Sequence, residues 1–344
     1  MNPHLKILYS SAVVLLMTAS AFPLALGTQT QAPISHTLYV GGSGPGNYTT
    51  IQDAIDAAVD GDTVFVYHDS SPYVTRTIDV DRSITLVGED RESTQIWPNP
   101  YYMEAGMVIE APHVHVHNLT LLTGSTGIII RSSDVELSYM DVQAGVDGIC
   151  VGTLDAVMQR LWIHDNWVHT GLAGGIGLYF CNNSLISNNT VVGDYGKYWR
   201  GLSVEFSFNN RIVDNYFVGC ELGCLCSFSG NNVYNRNVFS SDDSFLSVEN
   251  SFHETFIGNA FNGGGSPAEF HDVLQEKLDM LKEQRNNSFF AATYHLSGRH
   301  HWDGNYWGEN IQRPYIIQGY SIIGPVHIKR VNFDWHPETE PWTQ

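Results

Sequence analysis

The feature that most constrains the fold of this chain is a short sequence motif that recurs along it, called the phrase below. The phrase is an apolar residue, two variable positions, an asparagine, one variable position and a second apolar residue. Complete copies begin at Ile163, Ile186, Ile212, Tyr234, Phe256 and Trp302, and copies without the asparagine begin at Val116 and Leu137. The copies follow one another at a nearly constant interval, and only the last interval is about twice as long. A period of about 22 residues predicts stacked units, each of which buries its apolar face only against its neighbours.

A second pattern lies between these phrases, where apolar residues alternate with other residues. It occurs at 176–180, 202–206 and 224–228. Alternation with a period of two predicts a strand with one face inward, so Cys224 and Cys226 should be small buried hydrophobic residues. The phenylalanine that ends each copy should stack along the core: Phe180, Phe206 and Phe228. We expect the repeated asparagine to occupy a tight corner in the left-handed region and to bond its equivalents up the stack.

The segments outside the repeats predict the two ends of the molecule. Residues 1–27 combine Lys6, an apolar centre and the small-residue site Ala25–Gly27, which indicates a signal peptide. Cleavage is favoured over retention as a membrane anchor, because polar residues and Pro23 leave the apolar run short for a span, and either case implies export. An amphipathic helix over 50–59, capped by Thr49 or Thr50, should cover the first coils. The capping box Ser266–Glu269, followed by apolar residues at helical spacing, predicts a helix over 266–285. The expected divisions are a signal peptide (1–27) and one solenoid domain (28–344), comprising the cap and first coils (36–90), the asparagine repeats (106–262), the helical insertion (266–285), and the last coil and C-terminal cap (288–344).

The net charge of the chain limits the classes of molecule that it is expected to bind. A net charge of −19 argues against nucleic acid, because phosphate binding needs a basic face. It also argues against simple long-range attraction to polyuronates, and it is compatible with neutral glycans or cations. Beyond the signal peptide no segment is long and apolar enough to span a bilayer, so no membrane anchor is expected after cleavage. The sequence does not indicate an oligomeric state.

Several motifs resemble a known family. The segment Tyr48–Val66 resembles the N-terminal cap of right-handed parallel β-helix proteins of the pectin-lyase-like superfamily. The asparagine repeats resemble the NosD-like subgroup, also described as carbohydrate-binding and sugar-hydrolase repeats. Gly304–Trp307, followed by Pro314–Ile317, resembles the closing motif of archaeal surface proteins of this type. The resemblance implies an all-β, single-stranded right-handed parallel β-helix that is secreted, periplasmic or at the cell surface and acts on or binds carbohydrate. The superfamily includes lyases, hydrolases, epimerases, binding modules and adhesins, so the fold does not choose among them.

The same resemblance places a substrate groove along the outer face of the first strand of each coil. A lyase there needs a base and a cation that neutralises a carboxylate, and a hydrolase needs two carboxylates. In a lyase, Glu205 would act together with Lys197 or Arg200. In a hydrolase, Glu205 would act together with Asp242 or Glu249. The candidate catalytic residues are Glu205, Arg200, Lys197 and Asp242. The candidate substrate-binding residues are Tyr179, Trp199, Tyr198, His169 and Glu249.

A histidine cluster suggests a different function. If residues 113–117 form a strand, His113, His115 and His117 project from one face, and imidazoles at that spacing could bind Cu²⁺ or Zn²⁺. The first and third rings would be too far apart for one ion, so at most an adjacent pair could share it. The alternative is a solvated face with no metal, and no cofactor is assigned.

Three functions therefore stay open. The first is an exported or surface β-helix protein that binds carbohydrate or serves in the cell envelope. The second is a polysaccharide lyase or glycoside hydrolase acting in the groove, although no known catalytic signature of the superfamily is intact. The third is a copper-binding accessory protein of the NosD type.

Overall fold

The chain winds into a parallel β-helix of about ten turns. The computed structural model describes residues 35–99, 104–194, 200–263, 268–273, 300–307, 315–323, 326–338 and 340. In these residues, short strands pair in parallel with their equivalents in the preceding and following turns. The predicted fold class is confirmed, and the predicted signal peptide lies outside the described residues.

Two large sheets form three sides of the solenoid within the described part of the chain. One of them, the second side, has eleven strands: Thr37–Val40, Thr63–Val66, Thr85–Gly88, His115–His117, Glu136–Ser138, Trp162–His164, Leu185–Ser187, Arg211–Val213, Val233–Asn235, Thr255–Ile257 and His301–Asp303. The other sheet forms the first and third sides. Its strands on the first side are Ile78–Val80, Ala105–Ile109, Thr126–Ile130, Ile149–Val151, Gly174–Tyr179, Arg200–Glu205, Glu269–Val273, Tyr315–Ile323 and Val326–Asp334. Its strands on the third side are Tyr73–Thr75, Gln95–Pro98, Thr120–Thr123, Asp141–Ala144, Trp167–Thr170, Thr190–Gly193 and Ala260–Asn262.

The first and third sides are joined by two long strands, Tyr216–Ser227 and Val238–Glu249, which run through both. A minor sheet pairs Met158–Gln159 with Cys181–Asn182. The last two strands of the first side, Tyr315–Ile323 and Val326–Asp334, form an antiparallel hairpin. This hairpin therefore extends the first side at the C-terminal end.

The core consists of rows of inward-facing side chains, and each row is formed by the equivalent residue of successive turns. Ile176, Leu202, Cys224 and Leu246 lie in register on the first side and are buried. Each apolar side chain is buried against its equivalents one turn away, which is why the sequence needs so regular a repeat. Cys224 and Cys226 are buried free thiols, as predicted.

A ladder of buried asparagines runs up the corner between the second and third sides. Its members are Asn166, Asn189, Asn215, Asn237, Asn259 and Asn305. Each Nδ2 before the last donates to the Oδ1 of the next asparagine and to a backbone carbonyl of the preceding turn. For Asn237 these distances are 3.0 Å to Asn259 Oδ1 and 2.8 Å to the oxygen of Ile212. Because every amide points the same way, the last donor needs an acceptor, and Asp334 Oδ2 accepts from Asn305 Nδ2 at 3.0 Å.

The corner geometry corrects two expectations. The left-handed residue is the one before each ladder asparagine, such as Asp214 with φ 57° or Arg236 with φ 53°, and not the asparagine itself. Phe206 stacks on Phe180 and Phe228 with ring centroids 5.1 and 5.2 Å apart, but all three residues are half-buried. Their φ angles of 49° to 52° turn the chain at another corner, so the prediction that they lie in the core was wrong.

The N-terminal helix is confirmed and the second predicted helix is not. The first spans Ile51–Ala57, is capped by Thr50 Oγ1 accepting from the Asp53 amide at 3.1 Å, and is followed by a 3-10 turn at His68–Ser70. The helix expected over 266–285 is wrong at its beginning, because Glu269–Val273 is a strand. Phe270 falls one repeat after Val248 and pairs with it, so the strand extends the inward row and gains backbone partners on both sides. Residues 274–285 lie outside the described part.

Replacing a central rung of the ladder should destabilise the solenoid. In Asn237→Ala, the backbone N–H and the side-chain Nδ2 of Asn215 lose the oxygen that accepts their hydrogen bonds. The Ile212 carbonyl and Asn259 Oδ1 lose the amide group that donates to them, and all of these groups are buried. We expect a loss of about 3 kcal/mol or more in unfolding free energy, since each stranded buried group costs about 1–3 kcal/mol. Urea denaturation followed by circular dichroism measures this loss. Asn235→Ala on the neighbouring outward position is the control, and equal effects in the two variants would contradict the ladder's role.

A second, shorter ladder, Asn210–Asn232–Glu254, ends in a fully buried carboxyl group. Burial raises the pKa of Glu254 well above its ordinary value, although hydrogen bonds from Asn232 oppose this. A raised pKa means that the folded state keeps a proton which the unfolded state releases, so stability falls as pH rises through that window. Glu254→Gln should flatten this fall in urea midpoints measured from mildly acidic to mildly alkaline pH. Exposed Glu92→Gln should leave the slope unchanged, and a Glu254→Gln slope equal to that of the parent protein would refute the assignment.

Candidate functional site

The outer face of the first side carries one row of side chains in register, which we call the groove row. Its members are Tyr179, Glu205, Ser227, Glu249, His271 and Tyr320. Strand alternation dictates the row, because the residue before each of the first five members points into the core: Leu178, Val204, Cys226, Val248 and Phe270. Neighbouring strands are about 4.8 Å apart, so five steps extend over about 24 Å. Glu205 and Glu249 are two turns apart, as predicted, which is about 10 Å between Cα atoms.

Glu205 is the second member of the row and lies beside a cation. Its Oε1 lies 3.3 Å from Arg200 Nη1, and only 21% of its side chain is exposed. Burial raises the pKa of Glu205 above its ordinary value, Arg200 opposes the rise, and Glu249 adds to it. Glu249 in turn accepts a hydrogen bond from Ser247 Oγ at 3.0 Å. The arrangement offers two carboxylates and a guanidinium along one line.

Tyr179 lies at the N-terminal end of the row. A Cβ atom on Gly177 would be 2.7 Å from Tyr179 Cε2, so the glycine leaves space for the ring to lie back over the strand. Burial, with Glu205, Cys150 and Asp147 nearby, raises the pKa of Tyr179 to about 12. The phenol is therefore neutral and can both donate and accept hydrogen bonds. Burial likewise raises the pKa of Asp147.

The C-terminal end of the row is formed by His271 and Tyr320. Their rings stack with centroids 4.3 Å apart, and the Tyr320 hydroxyl is 3.3 Å from His271 Nδ1. The other ring nitrogen, Nε2, is 3.2 Å from Glu269 Oε2. A cleft of about 240 Å³ opens here, and its lining includes His271, Tyr320 and other residues of the C-terminal hairpin.

The structure brings together only some of the predicted site residues. Tyr179, Arg200, Glu205 and Glu249 share the first side. His169 lies on the third side, with Nε2 3.4 Å from Asp194 Oδ1. Asp242 lies within the long strand Val238–Glu249, but its side chain is outside what the structure describes. Lys197, Tyr198 and Trp199 also lie outside the described residues.

Sequence reasoning missed His271 and Tyr320. The signal for His271 was present, since the inward residues Val204, Cys226, Val248 and Phe270 follow one another at one constant interval. Counting that interval places His271 one step beyond Glu249. No comparable interval leads to Tyr320, because the 22-residue spacing of the inward residues does not continue through the sequence between His271 and Tyr320.

The histidine cluster does not form the arrangement expected of it. His113 has φ 55° and precedes the strand His115–His117, so the three rings are not on one strand face. His164 is another histidine on the same side of the solenoid, and both of its ring nitrogens lie beside carboxylates. Its Nδ1 is 2.6 Å from Asp165 Oδ2, and its Nε2 is 3.4 Å from Glu136 Oε1. In the residues that the structure describes, no group of three or more His, Cys, Asp or Glu side chains is placed to hold a metal ion. These residues therefore do not fit a copper site as they are arranged.

Another cavity, of about 590 Å³, lies at the end of the second side. It is lined by His301, Asp303, Trp335 and His336 among others, and His336 Nδ1 is 2.8 Å from Asp303 Oδ1. Trp302, also in the lining, belongs to the core stack with Phe256, at 4.3 Å between ring centroids. Among the described helices, none has the length and apolar character needed to cross a membrane.

Comparison with known proteins gives one family and several structures. A family model described as periplasmic copper-binding protein (NosD) matches residues 55–319. No curated protein sequence matches the chain significantly. The enzymatically active domain of tailspike protein 2 from bacteriophage CBA120 is similar in structure, with a TM-score of 0.51 and 12% identity, over 82% of this chain and 41% of that domain. The chain thus spans less than half of the tailspike domain that it matches.

Two further structures resemble the chain more loosely. An alginate lyase from Paenibacillus sp. matches at a TM-score of 0.48 and 12% identity, covering 69% of this chain and 93% of the lyase. The A-module of a mannuronan C-5 epimerase from Azotobacter vinelandii matches at 0.42 and 13% identity, covering 84% of this chain and 93% of the module. At such identities a structural similarity concerns the fold alone.

The protonation of Glu205 offers a direct test of the site's electrostatics. Arg200→Met removes the group that opposes the raised pKa of Glu205, so that pKa should rise further, whereas Glu249→Gln should lower it. Carbon-13 NMR of the glutamate carboxyl groups through a pH titration measures both changes. Arg82→Met, a cation paired with Asp81 far from the groove, is the control. A Glu205 titration unaffected by either groove variant would show that these groups do not interact.

Proposed function

This chain belongs to the NosD family, and from that premise we propose that it is an exported β-helix protein that binds carbohydrate along the groove row. The observation that carries the proposal is the register of the first side, which aligns Tyr179, Glu205 and Glu249 on one outer face. A row that repeats at each turn suits a ligand that also repeats, namely a polysaccharide chain.

The side chains of the row have the chemistry that sugars require. Carboxylates and the Arg200 guanidinium can bond vicinal hydroxyl groups, and the Tyr179 ring offers an apolar face and a neutral hydroxyl. The net charge of −19 supports a glycan over nucleic acid as the partner. The family description is periplasmic, and residues 1–27 have the pattern of a signal peptide, which together support export.

The alternatives are less well supported. A hydrolase that used Glu205 and Glu249 would start from Cα atoms about 10 Å apart, so both carboxyl groups would have to lean together to reach the roughly 5–9.5 Å that glycosidases use. Copper binding is part of the family description, but the described histidines do not fit a copper site. The groove is the better basis for a function.

Loss of binding in groove variants is the test. On a panel of neutral and acidic polysaccharides, Tyr179→Ala and Glu205→Gln should weaken binding of the preferred glycan at least about tenfold, because each removes a desolvated contact worth about 1.4 kcal/mol or more. Affinity electrophoresis followed by calorimetry measures this. Trp162→Ala, an exposed aromatic residue on the second side, is the matched control. If no glycan binds, or if only the Trp162 variant loses binding, the groove is not the binding site.

A further inference from the structure

A cleft of about 500 Å³ opens on the outer face of the first side, on the N-terminal side of the groove row. Its lining includes Asp79 and the apolar residues Val108 and Ile129, which face one another on consecutive strands. Asp79 lies four turns before the strand of Tyr179 and seven turns before that of Glu249. The cleft and the groove row therefore share one continuous face, which extends over roughly 34 Å from Asp79 to Glu249.

The arginines that line this face are already paired with carboxylates. The distances between nitrogen and oxygen are 3.9 Å for Arg76 and Glu104, 3.1 Å for Arg131 and Glu110, and 3.3 Å for Arg200 and Glu205. A paired guanidinium has little charge left for a ligand, so these arginines do not mark a site for an acidic sugar. The exposed Lys329 lies beyond this stretch, at the C-terminal end of the row.

Three carboxylates of the same face have no such cation. Asp79, Asp147 and Glu249 make no ion pair within the described part of the chain, although Asp147 accepts a hydrogen bond from the backbone of Gly174 and Glu249 accepts one from Ser247. Burial raises the pKa of Asp79, as it does that of Asp147, and three neighbouring carboxylates raise the pKa of Asp79 further. A cation placed beside such groups is favoured, because it stabilises their ionised form.

We infer that the polysaccharide bound along this face is a polymer of amino sugars, whose free ammonium groups pair with Asp79, Asp147 and Glu249. The inference rests on the proposed function, because it names the class of glycan that the same face binds. An ammonium group offers three hydrogen-bond donors, and a charged donor to a carboxylate forms a shorter and stronger bond than a neutral hydroxyl does. Hydroxyl groups of the same sugars remain available to Tyr179 and to the paired residues.

The spacing of the unpaired carboxylates favours a polymer over a single sugar. Asp147 lies three turns after Asp79 and four turns before Glu249. These intervals correspond to about 14 and 19 Å, so one sugar residue cannot reach two of the carboxylates, whereas a chain lying along the face can.

The net charge of the chain favours the same ligand class. A charge of −19 attracts a polycation at long range and repels a polyuronate, and both effects weaken as salt is added. A neutral glycan gains nothing from this field. Of the three kinds of glycan, the cationic one is therefore the best match to both the face and the whole molecule.

The test is calorimetry on the mature protein at mildly acidic pH, where the amines are protonated. The probes are hexamers of β-1,4-linked glucosamine, of its N-acetylated form and of galacturonate. The glucosamine hexamer should bind about tenfold more tightly than the N-acetylated one, because acetylation removes the charge from every pair and an exposed ion pair contributes up to about fivefold in affinity. The galacturonate hexamer should bind most weakly.

Substitutions at the unpaired carboxylates locate the preference. Asp79→Asn and Asp147→Asn should each reduce the preference for the amino hexamer about two- to fivefold. Affinity for the N-acetylated hexamer should stay unchanged, a pattern that a merely structural role would not produce. Asp194→Asn, at an exposed aspartate on the third side, removes the same charge from the chain and is the matched control.

The design separates failure of this inference from failure of the proposed function. Equal binding of the amino and N-acetylated hexamers, or tighter binding of galacturonate, would overturn the amino-sugar assignment and leave glycan binding intact. A preference that Asp194→Asn reduces as much as Asp79→Asn and Asp147→Asn do would also overturn it, since only the net charge would then matter. Absence of binding to every hexamer and polysaccharide would overturn both proposals.

Discussion

The structure depends on parallel pairing between consecutive turns, held in one register by the buried asparagine ladder. The ladder amides donate both to the next turn and to the backbone of the preceding one, as Asn215 does to Asn237 and Ile186. A slip of one residue would separate these amides from their partners in the neighbouring turns, at about 1–3 kcal/mol for each buried group left unsatisfied. The ladder therefore aligns residues on all three sides, including those on the groove face.

The proposed function depends on that alignment. Glu205 and Glu249 are two repeats apart in sequence and His271 is one repeat further, yet all three lie in one outer row. The same register that closes the core sets the spacing of the polar groups outside it, and the proposed polymer-binding surface depends on that spacing. The C-terminal hairpin then adds Tyr320 and Lys329 to the end of the row.

Much of this could be predicted because side-chain periodicity and burial are coupled in a solenoid. The interval between ladder asparagines was enough to predict the stack, and alternation from Leu202 to Phe206 was enough to place Glu205 on the outer face. The failure at 266–285 has a physical cause, since Phe270 begins an apolar pattern at helical spacing and also falls one repeat after the inward residue Val248. Only pairing with neighbouring turns decides between the two, and that information is not local. Phe180 was misplaced for a similar reason, because alternation continues into a corner where φ becomes positive.

The most direct test of the account is the register between Glu249 and His271. Cysteines at facing positions of adjacent parallel strands have Cα atoms roughly 5 Å apart, within the range that a disulfide can bridge. In the double variant Glu249→Cys, His271→Cys, mild oxidation should form this cross-link in the folded protein, detected by peptide mass spectrometry, and neither single variant should do so. If the double variant forms no cross-link, or if position 271 cross-links instead to a residue on another side, the groove row does not exist as described.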